Sequence, residues 1–155
     1  MPVQQLREFL DKNLVKYVVV SHSPAYTAQE IAASAHIPGQ EMAKTVVVKV
    51  DGRLAMAVLP ASTHVDFDVL AEALGARTVE LADEAEFRDA FGDCEPGAMP
   101  PFGNLYSMDV YVADDLTADE QIAFNAGSHT ELIQMAYADF ERLVRPQIIR
   151  FAVTA

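Results

Sequence analysis

The sequence predicts an α/β (α+β) protein built on a curved, mixed and mainly antiparallel sheet with flanking helices, and three observations predict it. Ala43–Val50 (Ala-Lys-Thr-Val-Val-Val-Lys-Val) is rich in β-branched residues that suit a pleated surface, and Asp51-Gly52 marks a tight turn into a second apolar run, Leu54–Leu59. The later part of the chain is mostly strand-like, with links too short for the crossovers that parallel strands need. Between the strands, apolar residues recur three and four apart, as on helices that lay one face on a core.

Taken in order, Leu6, Phe9, Leu10 and Leu14 predict an amphipathic first helix with Arg7, Glu8, Asp11 and Lys12 on its wet side. Tyr17–Ser21 reads as a short strand, and His22–Tyr26 as a loop, because Pro24 biases the residue before it away from helix. Thr27-Ala28-Gln29-Glu30 is a capping box that opens a second helix, which runs through Ile31, Ala32 and Ala35 until Pro38-Gly39 ends it. The hairpin follows and Pro60 closes it. Phe67–Leu74 is a third helix stopped by Gly75, Arg77–Leu81 a strand, and Asp83 to Glu86 caps a short helix ending at Gly92. Asp93–Gly103 holds too many prolines and glycines for a regular element and is the chain's one elaborate loop. Strands are expected at Met108–Ala113, Glu120–Ala126, Thr130–Ala136 and Ile148–Thr154, with a helix at Ala138–Val144.

Length and composition bound the function. The 155 residues fit one domain, 1–155, and 51% hydrophobic with 22% charged residues is ordinary for a folded globular chain. No window approaches the roughly 18 apolar residues of a membrane helix and no leader pattern opens the chain, so no membrane partner and a cytoplasmic location are expected. The lone Cys94 fits a reducing compartment. A net charge of −12 opposes general nucleic-acid binding, but its distribution is uneven. Residues 1–60 carry six Lys/Arg against five Asp/Glu, and residues 61–155 five against eighteen, so a phosphate-bearing partner should dock on the first part.

The residues limit the chemistry. His22, His36, His64 and His129 are scattered, so neither a metal nor another cofactor is expected. Ser128 and His129 are neighbours, and on a strand they would face opposite ways, which speaks against a nucleophile and its base. Phosphate-loop and nucleophile-elbow motifs are missing. What remains is Lys44 at a strand mouth, the Gly97–Gly103 loop and a corner at Asn125-Ala126-Gly127-Ser128. A cation and backbone N–H groups can polarise an ester carbonyl and steady the oxyanion formed when water attacks.

Lys44-Thr45-Val46-Val47-Val48-Lys49, the loop Gly97-Ala98-Met99-Pro100-Pro101-Phe102-Gly103, the Thr27–Glu30 segment after His22, and Gly127 together resemble the YbaK/prolyl-tRNA synthetase-associated domain family, in order over nearly the whole chain. The resemblance implies hydrolysis of mischarged aminoacyl-tRNA by a free-standing protein, with Lys44 as the catalytic residue orienting the ester. It further implies that Gly97 and Pro101 belong to the family's glycine-x-x-x-proline loop, whose backbone approaches the aminoacyl group. Tyr26, Thr27, Thr45, Phe102, Gly127, Ser128 and His129 would also bind the substrate. Water would be the nucleophile. The implied partners are the acceptor end of aminoacyl-tRNA, gripped near Lys44 and Lys49, and optionally a synthetase; the substrate would carry a small amino acid such as alanine or cysteine. Some free-standing prolyl-tRNA editors have histidine followed by proline near Phe124–His129, where this chain has Asn125-Ala126-Gly127-Ser128-His129. That departure keeps a second reading open, a non-catalytic module of the same fold that binds a small metabolite, an aminoacyl-adenosine-like ligand or a partner protein.

Overall fold

A computed structural model describes residues 3–21, 41–95 and 97–154. The predicted loop at His22–Tyr26, the capping box and helix from Thr27, and the sites at Tyr26 and Thr27 lie outside the described residues. The described chain runs α1 (Gln4–Lys12), β1 (Tyr17–Ser21), β2 (Ala43–Val50), β3 (Arg53–Pro60), β4 (Thr63–Val65), α2 (Phe67–Leu74), β5 (Val79–Leu81), α3 (Glu84–Phe87), β6 (Asp109–Ala113), β7 (Gln121–Asn125), β8 (Glu131–Ala136), α4 (Tyr137–Val144), β9 (Gln147–Ile149) and β10 (Ala152–Thr154). Short 3₁₀ turns fill in at Arg88–Phe91, Gly103–Leu105 and Asp114–Ala118.

The strands form a five-stranded sheet ordered β5-β2-β3-β6-β9, a three-stranded sheet β1-β8-β7 and the pair β10-β4. Among the described strand pairs, β3 with β6 and β6 with β9 run parallel and the other five antiparallel, so the sheet system is mixed and mainly antiparallel, as expected. The Asp51-Gly52 turn has φ of 48° and 86°, the left-handed pair that matches the twist of two strands joined by a two-residue link. Asp51 does more than turn: its carboxylate accepts from the Arg77 and Thr78 N–H groups at 2.9 Å each, tying the hairpin tip to the approach of β5.

The central strands are buried on both faces. Along β3, Met56 and Val58 enter one core while Ala55, Ala57 and Leu59 enter the other, so the run reads as nearly continuous apolar sequence. The larger core gathers Leu6 and Leu10 of α1, Phe140 of α4 and the rings of Phe102 and Phe124. The smaller lies under α2, where Leu70, Val48, Leu59 and Phe151 meet. Helix α2 spans Phe67–Leu74 and stops at Gly75 with φ of 64°, as expected, and the Asp66 carboxylate, not singled out in the sequence, caps its start by accepting from the Val69 N–H at 3.1 Å. The capping box on α3 also forms. Among the described residues no helix is long and apolar enough to cross a membrane.

Three local expectations differ from the structure. Leu14 shares the helical spacing but lies beyond α1, at φ 56° and 90% exposed, because the chain has already turned toward β1. The expected strand Ile148–Thr154 is two strands, β9 beside β6 and β10 beside β4. Between them Phe151 is drawn into the smaller core and its carbonyl accepts from the Asp66 N–H at 2.8 Å, which turns the chain from one sheet to the other. Third, the three-residue strand β4 goes unforeseen, being too short for any period to show.

Candidate active site

Among the described residues, one backbone bridge joins the two larger sheets. Met42, just before β2, makes an isolated parallel bridge with Ala123 of β7, and the Ala123 N–H donates to the Glu41 carbonyl at 2.9 Å. Pairing goes no further, and two residues on along each strand stand Lys44 and Asn125. Parallel partners project to the same face and strand residues repeat every two, so Lys44 and Asn125 lie on one face, flanking the place where the strands part. The cores agree with that assignment: Ala43 and Val47 enter the larger core with Ile122 and Phe124, leaving Lys44 and Asn125 on the reverse side.

The far side of the opening is bounded by β5, which pairs with β2 only at Val48–Val50, while the Val47 carbonyl accepts from the Ala82 N–H at 3.0 Å. By the same two-residue alternation, Thr45 presents its backbone N–H and carbonyl to that edge, between β7 and β5, and turns its side chain away from Lys44. The Lys44 ammonium is half-buried, and burial lowers its pKa from that of a free lysine; no charged group among the described residues offsets this. A partly desolvated cation without a counter-charge attracts an anionic or polarised oxygen more strongly than one in bulk water.

The loop and the late corner are knit together. Glu95 N–H donates to the Gly127 carbonyl at 2.8 Å, and Gly127 N–H returns to the Ala98 carbonyl at 2.9 Å. Ser128 and His129 lie in the turn between β7 and β8 rather than on a strand, so the strand alternation that would have separated them does not apply. Ser128 Oγ lies 3.4 Å from the Thr130 hydroxyl. The buried His129 ring is held through Nδ1 by the Glu95 carboxylate at 2.7 Å, leaving Nε2 toward exposed Gly97, where a Cβ would come within 3.6 Å of it. A carboxylate accepts only, so Nδ1 carries the proton. Gly97 and Gly127 take φ of 84° and 101°, conformations that favour glycine; a Cβ at Gly127 would overlap the Val3 side chain.

The structure thus unites Gly97, Gly127, Ser128 and His129 in one corner, while Lys44 and Thr45 stand on β2 where it parts from the end of β7 that leads into that corner. Pro101 is buried, and Phe102 is fully enclosed, its ring 5.5 Å from those of Phe124 and Phe140. Phe102 therefore stands in the core that supports the loop rather than on an open wall. Lys49 cannot join Lys44 in gripping one phosphate. Five residues apart on a strand they face opposite ways, and the Lys49 ammonium is engaged by Glu86 at 2.8 Å and Glu80 at 3.4 Å. Glu95 and Asn125 are the site residues that sequence reasoning missed as individual groups. Asn125 was within reach as part of the quoted corner, whereas nothing local to Glu95 shows that it pairs with a residue 34 positions on.

Cys94 is no nucleophile here, since burial pushes its thiol up to about 12 and its Sγ sits 3.6 Å from the Tyr106 hydroxyl. A strand-mouth cation, a backbone edge unpaired among the described residues and a glycine-lined corner are instead the equipment for positioning an ester under attack by water.

The comparisons with known proteins agree. Residues 22–143 match the aminoacyl-tRNA editing domain family, and the chain belongs to that family. As a member it is a hydrolase of aminoacyl-tRNA esters, a deacylase. It is 30% identical over 158 residues to the multifunctional Ser/Thr-tRNA deacylase ProXp-y of Escherichia coli strain K12, covering 98% of this chain and 93% of that one. In fold it is similar to the hypothetical protein APE2540, with a TM-score of 0.86 at 18% identity over 97% of this chain and all of that one. A candidate trans-editing enzyme for prolyl tRNA synthetase aligns with a TM-score of 0.81 at 18% identity over 97% of this chain and 96% of the other.

Proposed function

We propose that this single domain acts in trans in the cytoplasm, cleaving the ester of tRNA mischarged with a small amino acid. The observation that carries the proposal is the half-buried Lys44 ammonium beside the opening where β2 and β7 part, in a chain of the editing family. Lys44 orients the acceptor end of the tRNA and stabilises negative charge on the carbonyl oxygen as water adds. The Thr45 backbone edge and the Gly97–His129 corner hold the aminoacyl end, with Gly97 allowing close approach. The collapsing oxyanion expels the terminal ribose hydroxyl, releasing free amino acid and tRNA.

The sequence resemblance points to alanine or cysteine, while the name of the relative ProXp-y points to serine and threonine. All four are small, and a pocket that sorts by size separates neighbours by only about 1–3 kcal/mol per methylene. Grip on the acceptor end alone, with a synthetase as optional partner, reconciles the activity with the acidic body and predicts a shallow salt dependence. The test is release of amino acid from one tRNA body charged in turn with serine, threonine, alanine and cysteine. Release above the buffer rate from at least one is the expected result; none from any of them removes the reading.

A further inference from the structure

Asn125 is 8% exposed, and its Oδ1 is sealed from solvent with no hydrogen-bond partner among the described residues. A buried amide oxygen left unpaired costs about 1–3 kcal/mol, which makes such a group in a native fold a feature to be explained. Its neighbours give the explanation a direction. Asn125 ends β7 on the same face as Lys44, one strand across, and two residues before Gly127. Packing does not require an amide there, because Ala123, on the same face of β7, is also fully buried and apolar.

We infer that Asn125 is a specificity-determining residue whose carboxamide hydrogen-bonds the side-chain hydroxyl of the aminoacyl group, so that the site prefers seryl and threonyl esters over alanyl ones. The inference rests on the proposed deacylase reading and deepens it. A hydroxyl both donates and accepts, so it pairs with the carboxamide whether oxygen or nitrogen faces the ligand. An alanyl side chain offers the amide no partner. A polar group built to meet a substrate hydroxyl discriminates against the analogue lacking it more sharply than a size-sorting pocket can. The same carboxamide could instead meet a feature common to every substrate, the ribose hydroxyl or the α-ammonium, and the experiment separates these.

The experiment measures kcat/KM of the whole protein on one tRNA body charged with serine, threonine or alanine, for wild type, Asn125→Leu and Asn125→Ala. The ratio of seryl to alanyl rates cancels the fraction of active enzyme, so partial loss of fold in a variant does not obscure it. The wild-type ratio is expected to exceed one and to fall about tenfold in both variants, chiefly through loss of the seryl rate. Leu keeps the bulk without the polarity, so its thermal midpoint is expected to hold. An unchanged ratio, or an equal fall on all three esters, overturns the inference while leaving the deacylase intact. No release by the wild type from any ester overturns both.

Discussion

Two hydrogen bonds run from His129 to one oxygen of Glu95, from the backbone N–H at 3.1 Å and from Nδ1 at 2.7 Å, closing a loop of 34 residues at the mouth of the corner. The backbone bond first, then the ring, holds the Glu95 carboxyl below the usual carboxylate range. A value lowered by folding gives stability that is fully present above the unfolded value, about 4.3, and lost as pH falls through the folded one. The thermal midpoint of wild type should therefore exceed that of Glu95→Gln at neutral pH, with the gap closing as pH drops below about 4.3. The carboxylate is half exposed, so the gap is modest, about 1 kcal/mol or less. A gap independent of pH contradicts the assignment.

The two corner glycines should separate stability from activity. Gly127→Ala adds a methyl against Val3 at φ 101° and is expected to cost about 2 kcal/mol or more, read as a lower urea midpoint. Gly97→Ala meets His129 only at ordinary contact distance, so it should cost about 1–2 kcal/mol from its positive φ and lose proportionally more deacylation than stability. Equal effects of the two on activity per folded molecule would count against a substrate-facing Gly97.

Phe102 supports the loop from within. Its ring packs on Phe9, Phe124 and Phe140, and Phe102→Ala should destabilise the fold by about 3–5 kcal/mol in chemical denaturation. Retention of near wild-type stability would place that ring outside the core.

Much of this was legible in the sequence because it is local. The valine run with Asp51-Gly52 gives the hairpin, and Gly75 stops α2, since each signal lies within a few residues of its effect. Leu14 misleads because periodicity continues past the point where the backbone leaves the helix, and the β9–β10 break escapes because burial of Phe151 is decided by α2 and β3. In the site, Lys44 announces itself as a cation entering an apolar strand. The pairing of Glu95 with His129 and the company of Asn125 arise from contacts between segments far apart in sequence.

The pH dependence of binding reports on Lys44. Burial lowers its pKa, so its charge is lost as pH rises through a value below the roughly 10.4 of a free lysine. Affinity for a non-hydrolysable 3′-amide analogue of aminoacyl-tRNA should weaken across that range in titration calorimetry, and the Lys44→Arg protein should hold its affinity to higher pH. Identical profiles for the two would show that another group carries the dependence.

The central claim is that one half-buried ammonium organises ester hydrolysis without contributing to the fold. Single-turnover deacylation of a charged tRNA by wild type and Lys44→Ala, alongside their thermal midpoints, tests it most directly. Loss of at least about a hundredfold in rate, in the range of removing one oxyanion-stabilising group, with the midpoint unchanged is the predicted result. A Lys44→Ala protein that turns over as fast as wild type would contradict it.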